Sequence, residues 1–198
     1  TAIDEAKSPF YAVLGGAKVS DKLGAITHLL DRVDAIFVGG AMAYTFLKAT
    51  EHAIGRSLVE DDMIETARSL LQKAETQGKT IHLPTDHQCA GSIDDVDHVR
   101  ACEIGIPPDL MGLDIGPETG VAWKELLSKA KTVVWNGPMG VFEKPPFDAG
   151  SKLVAEGIAH ASKHHGVTVV GGGETAAALE AFGLTKGISH VSTGGGAS

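Results

Sequence analysis

Tyr11-Ala12-Val13-Leu14-Gly15-Gly16-Ala17-Lys18-Val19-Ser20-Asp21-Lys22 is the stretch whose pattern decides the architecture. Four apolar residues end at a glycine pair, and Ser20-Asp21 then opens a run with Leu23, Ile26, Leu29, Leu30 and Val33 at spacings of three and four. So short an undiluted apolar run reads as a buried strand, the glycine pair as a sharp turn, and the spacing as an amphipathic helix.

The same unit recurs in both directions. Residues 35–38 (AIFV) run into Gly39-Gly40 and a helix over 41–48, and a strand over 80–83 follows a helix over 60–77. Beyond it, the chain reads as a polar stretch through about Asp97. In the second half, helices are expected over 118–130, 148–164 and 174–182, and strands over 132–135, 167–170 and 189–192. Six strands alternating with helices predict a Rossmann-like three-layer α/β/α fold with a mostly parallel six-stranded sheet. Ligands of open α/β sheets sit beyond the carboxyl ends of the strands. Here those ends are where Gly15-Gly16, Gly39-Gly40, Gly171-Gly172-Gly173 and Gly194-Gly195-Gly196 fall.

Glycine is the compositional outlier, 25 of 198 residues against a usual share of ~7%. It has no G-X-Y period and sits between apolar runs, which excludes collagen and a flexible linker. A net charge of −8 argues against nucleic acid, whose phosphates need a basic face. It leaves room for one small anion held by local lysines and backbone N–H groups. Cys89 and Cys102 lack a C-x-x-C spacing and read as free thiols of a reducing compartment. The sequence opens without a signal peptide, and no apolar run approaches the ~18 residues of a membrane span. A cytoplasmic, membrane-free protein is expected. Both ends look cut: there is no initiator Met, and the glycine triplet at 194–196 is a poor terminus.

Two stretches resemble familiar phosphate motifs. Gly78-Lys79-Thr80 resembles the end of a P-loop, but Lys73 stands where the upstream glycine is required, and a strand follows where a helix should. Gly171-Gly172-Gly173-Glu174-Thr175-Ala176 matches G-x-G-x-x-A in the right context, but residues 191–196 offer no acid for a ribose. The remaining physics favours a phosphorylated ligand. Glycine admits close backbone approach, and helix N-termini attract anions. Lys18 and Lys22, one helical turn apart, can face one space. Glu174 and Thr175 read as caps of the helix after Gly173, and a carboxylate there can hold Mg²⁺ on phosphates. Taken singly, each of these residues reads equally well as a solvated helix face or a dipole partner.

The segments 15–22, 135–143 and 192–198 closely resemble the phosphoglycerate kinase family, and 38–43, 114–119 and 171–175 match it in the same order. The resemblance spans nearly the whole chain. It implies that residues 1–198 are the C-terminal nucleotide-binding domain of a two-domain enzyme whose N-terminal substrate domain is absent. That family moves a phosphoryl group between 1,3-bisphosphoglycerate and ADP, giving 3-phosphoglycerate and MgATP. The resemblance implies that Lys18 stabilises the moving phosphoryl group and that the amides of Gly194, Gly195 and Gly196 meet it. It further implies that Lys22 and Thr175 hold phosphates, that Gly39, Gly40 and Leu113 line the adenine slot, and that Glu143 binds the ribose hydroxyls. Gly16, Ala41, Asn136, Gly137, Pro138, Val141, Gly172 and Gly173 would border the nucleotide. Glu174 would take Mg²⁺, where the family usually has Asp. ADP or ATP with Mg²⁺ and the substrate domain are the implied partners, for a monomer nearly inactive as this piece alone.

Residues 87–103 depart from the family's commoner sequence, and nothing catalytic is expected there. Asp94, Asp95, Asp97 and His98 read as an acidic surface loop rather than a metal site. Two other readings stay open: a non-catalytic nucleotide-binding module, and a dinucleotide-binding oxidoreductase domain.

Overall fold

The structure is a computed structural model that describes residues 6–193. Six strands, β1 (Phe10–Leu14), β2 (Ala35–Val38), β3 (Thr80–His82), β7 (Thr132–Asn136), β8 (Val167–Gly171) and β9 (His190–Val191), form one sheet in the order β3-β2-β1-β7-β8-β9. Every pairing in it is parallel, with Tyr11 opposite Ala35 and Val133. Helices α1 (Val19–Leu30), α2 (Met42–Ala49), α3 (Ile64–Thr76), α4 (Pro117–Ser128), α5 (Ala149–Lys163) and α6 (Gly173–Phe182) fill the connections.

Strand alternation sorts the core into two. Phe10, Ala12, Leu14, Ile36, Val38 and Val134 join α1, α2 and α3 in one cluster. Their neighbours Val13, Ala35, Phe37, Val133 and Trp135 join α4, α5 and α6 in the other. A side-chain period of two, with both faces covered, is what makes each strand read as a continuous apolar run. The three-layer α/β/α architecture with a six-stranded sheet is therefore present. Its last strand is shorter than the four residues expected.

Beyond the sequence expectation is a second, antiparallel sheet in the order β5-β4-β6. Its strands are β4 (Asp86–Ala90), β5 (Arg100–Glu103) and β6 (Met111–Ile115). Residues 86–103 therefore hold two strands where a polar stretch was expected. β4 does not look like a strand because two of its buried positions are polar and serve specific contacts. The Asp86 carboxylate accepts from Glu118 N–H (3.0 Å), Thr119 N–H (2.9 Å) and the Thr119 hydroxyl (2.5 Å), capping α4 from another element. His87 Nε2 lies 3.2 Å from the Ile104 carbonyl, so Nε2 donates, and the buried Nδ1 has no partner among the described residues. Cys89 and Cys102 are free and buried beside one another on β4 and β5, and burial, with Cys102 alongside, pushes the Cys89 thiol well up.

At the carboxyl ends of the central strands, the turns are stitched to each other. Gly15 N–H donates to Asn136 O (2.9 Å), Gly40 N–H to Met139 O (3.0 Å) and Met42 N–H to Gly16 O (3.0 Å). A Cβ on Gly15 would lie 2.1 Å from Pro138 O, and one on Gly137, whose φ is +104°, would lie 2.3 Å from Gly15 O. Only glycine permits two backbones to pass this closely.

Candidate ligand cleft at the strand ends

Two adjoining recesses open over these turns. The first, about 220 Å³, is framed by the turns after β1, β2 and β7 and by β6, with Tyr44, Leu58 and Ile93 supplying large side chains. Of the expected residues, Gly16, Gly40, Ala41, Leu113, Pro138, Val141 and Glu174 line it. The second, about 360 Å³, is polar and is lined by Gly16, Lys18, Lys22, Asn136, Gly137, Gly172, Gly173, Glu174 and Thr175 among others. Gly16, Ala17 and Glu174 belong to both, so the recesses form one continuous cleft.

The two lysines come from the start of α1. Lys18 is the residue before its first turn and is exposed. Lys22, a turn further on, donates from Nζ to Asn136 Oδ1 at 2.5 Å. Burial lowers the Lys22 pKa from its ordinary value, against the opposing pull of Asp21 and Glu174. The opposite wall is the start of α6, where Gly172 has φ +94° and Glu174 is exposed in the first turn. Thr175 does not cap α6. It is fully buried, and its hydroxyl oxygen accepts from Gly137 N–H at 2.8 Å, tying α6 to the turn after β7. Beneath the turn, buried Asp114 accepts from Gly150 N–H (2.8 Å) and Ile115 N–H (2.9 Å), and burial raises its pKa well above the usual range despite both bonds.

Some expected residues lie apart. Gly39 is buried and lines neither recess, because Met139 occupies the space a Cβ would take. Glu143 is exposed and also lines neither. Gly194, Gly195 and Gly196 lie outside the described residues. No group of three or more His, Cys, Asp or Glu among the described residues could hold a metal ion. In the acidic loop, Asp94 pairs with Lys144, and Asp95 Oδ1 lies 2.7 Å from His98 Nδ1. No helix among the described residues is long and apolar enough to cross a membrane.

The sequence reading missed Tyr44, Leu58, Ile93, Met111 and Gly112 in the apolar recess. Ile93 falls in the segment from which nothing was expected. Its signal is a large apolar residue between Ser92 and Asp94, 39% exposed; Leu58, beside Val59, is 60% exposed.

A parallel sheet covered on both faces, with an apolar recess leading into a lysine-lined one at its strand ends, defines a doubly wound α/β ligand-binding domain. The description "Phosphoglycerate kinase" matches residues 1–198 as a family, and the chain belongs to that family. A phosphoglycerate kinase of Chloroherpeton thalassium is 51% identical over 96% of this chain and 48% of its own length. One of Thermosipho africanus is 50% identical over 97% of this chain and 48% of its own length. The chain thus spans about half the length of the curated relatives it matches. Among solved structures, a phosphoglycerate kinase from Coxiella burnetii superposes with a TM-score of 0.93 at 38% identity, covering 98% of this chain and 50% of that one. The enzyme from Pyrococcus horikoshii gives 0.81 at 31% identity over 98% of this chain and 49% of that one.

Proposed function

We propose that this chain is the C-terminal, nucleotide-binding domain of a cytoplasmic, monomeric phosphoglycerate kinase and supplies the ADP/ATP side of the reaction. The supporting observation is the pairing of an apolar recess with a lysine-lined one across a shared wall of Gly16, Ala17 and Glu174. A nucleoside diphosphate has the matching division: a flat apolar base and a multiply charged phosphate tail.

In this reading the base lies against Leu58, Ile93 and Leu113, with Ala41, Pro138 and Val141 at its edges, and Glu143 reaches the ribose from outside the recess. Lys22 and the α6 N-terminus at Gly172, Gly173 and Thr175 receive the phosphates. Charge and a positive helix end act together there. Lys18 is left for the phosphoryl group in transit between 1,3-bisphosphoglycerate and ADP, with the amides of Gly194, Gly195 and Gly196 on its other side. Phosphoryl transfer depends on positioning and charge neutralisation more than on covalent chemistry, which suits an ammonium and backbone amides.

Glu174 fits a magnesium ion carried on the nucleotide, since Mg²⁺ keeps several waters and is typically held by one or two carboxylates plus substrate phosphates. When bound, the ion neutralises charge between phosphates. The phosphoglycerate belongs to an N-terminal substrate domain, and this chain alone would turn over little. Calorimetric titration with MgADP is the direct test. Saturable heat at or below millimolar concentration is expected, and its absence would overturn the reading.

A further inference from the structure

We propose that Glu60 is a positioning residue that holds Lys18 for phosphoryl transfer and links it to the base recess through Leu58. This rests on the reading of the cleft given above. The start of α1 depends on acceptors from outside the helix. The first N–H groups of a helix have no partner within it, and here the N-cap position is Lys18, extended at φ −127° and ψ 129° with no capping side-chain bond. An ammonium has no acceptor to offer.

The acceptor comes from 40 residues away. Glu60 Oε1 accepts from Ser20 N–H at 3.2 Å and Oε2 from the Ser20 hydroxyl at 2.6 Å. Burial pulls the Glu60 carboxyl upward, but these bonds, the Val19 N–H and nearby Lys18 together hold it below its ordinary value. The Val19 and Ser20 N–H groups, the first two of α1, are therefore taken by the protein's own carboxylate. Lys18 offers the cleft its ammonium, while the helix end itself is taken.

Glu60 is fixed in turn by what precedes it. Its N–H donates to Thr45 Oγ1 on α2 at 3.1 Å, and Thr45 is buried. Three residues earlier, the buried Ser57 hydroxyl oxygen accepts from Gly112 N–H at 2.9 Å, on the strand that walls the base recess. Between them, Leu58 lies over the recess and is 60% exposed. One short segment thus touches the base recess with Leu58 and the root of Lys18 with Glu60. A base that covers Leu58 presses on the element that seats the lysine.

The test measures affinities of the 198-residue chain for adenosine, MgADP and MgATP by calorimetry. Lys18→Ala is expected to weaken MgATP about fivefold more than MgADP, the scale of one screened charge contact, and to leave adenosine unchanged. Glu60→Ala should show the same selective loss, and adding it to Lys18→Ala should cost nothing further. Ser20→Ala, which removes only the hydroxyl contact, should reproduce part of it. Glu60→Gln keeps an oxygen acceptor and should recover most of the MgATP affinity. Four results would overturn the proposal. In one, Glu60→Ala is equally costly with and without Lys18. In another, it tightens both nucleotides, as loss of a negative charge alone would. A third is that Lys18→Ala does not change the MgATP to MgADP ratio. The fourth, no nucleotide binding by the unaltered chain, would remove the cleft reading as well, whereas the first two leave it standing.

Discussion

The ammonium of Lys22 and the side-chain carbonyl of Asn136 meet at 2.5 Å, joining the first turns of α1 to the end of β7 across the polar recess. The contact holds a charged group half-buried without a carboxylate ion-pair partner among the described residues. Its pKa is lowered by that burial, although Asp21 and Glu174 pull the other way. Such a lysine is ready for an anion, because binding one restores the charge compensation that burial took away.

Lys22→Ala should therefore weaken MgADP by roughly tenfold to a hundredfold, the scale of a lost hydrogen bond to a charged group. Affinity for MgADP should also fall as pH rises, starting below the 10.5 of an ordinary lysine, because only the protonated form attracts phosphate. Lys22→Arg should move that decline to higher pH. Affinity that stays flat from pH 7 up to 10.5 in the unaltered chain would count against Lys22 as the phosphate partner.

Leu58 and Ile93 are exposed apolar residues at the mouth of the base recess. Replacing either by Ala should leave stability within about 0.5 kcal/mol, as for surface changes generally. Adenosine affinity should fall roughly threefold to tenfold, in line with removing about 1 kcal/mol of apolar contact. Urea unfolding beside adenosine titration separates the two effects. A stability loss without an affinity loss would make these residues structural.

The large sheet, its helices and the placement of Lys18, Lys22 and Glu174 on one cleft were legible in the sequence because each rests on a local signal. A doubly covered strand must be apolar throughout, and a helix N-terminus after a glycine turn announces itself. The second sheet was not legible, and β4 shows why. Asp86 and His87 are buried polar residues whose partners, Thr119 and Ile104, lie 33 and 17 residues away. No window of sequence contains both ends of such a bond. Gly39 shows a related limit. The resemblance implies a place in the adenine slot, and its surroundings depend on Met139, a hundred residues on, which packs where a side chain would go. Many of the glycines at the strand ends serve the meeting of backbones with each other before that with any ligand.

Asp86 makes a strong prediction about stability. Its carboxylate takes three donors from the start of α4 and is 6% exposed. Asp86→Ala would remove the acceptor of the Glu118 and Thr119 N–H groups at the start of α4, the latter buried, and of the Thr119 hydroxyl, at a cost of about 2–3 kcal/mol. In a chain of this size that lowers Tm by roughly 5–10 °C. Asp86→Asn, which keeps one oxygen acceptor, should lose less, and differential scanning calorimetry on the two variants checks the order.

His87 contributes to the acid limb of stability. It is fully buried, and desolvation lowers its pKa below the usual 6.5. The unfolded chain therefore takes up a proton near pH 6.5 that the folded chain refuses. Stability from this source is complete above pH 6.5 and falls as pH drops toward the lowered folded value, at no more than about 1.4 kcal/mol per pH unit. Half-buried His82, lowered for the same reason, acts in the same direction. Denaturant titrations between pH 7.5 and 5 should show the decline, and His87→Gln should flatten it. A slope unchanged by that substitution would place the proton uptake elsewhere.

Glu174 tests the magnesium assignment. It stands exposed in the first turn of α6 and lines both recesses; Asp21 also lines the polar one, and no group of three or more His, Cys, Asp or Glu among the described residues could hold a metal ion. So few carboxylates hold Mg²⁺ only together with phosphates, and the contribution of Glu174 must therefore appear with the metal and vanish without it. Glu174→Gln should weaken MgADP roughly tenfold, as for one charge-assisted ligand. ADP titrated in excess EDTA should bind the variant as well as the unaltered chain, or slightly better, because a negative charge facing the phosphates has been removed. Glu174→Asp keeps the charge one methylene shorter and should stay close to the unaltered value. Equal weakening of Glu174→Gln with and without magnesium would assign this carboxylate to the helix end rather than to the metal.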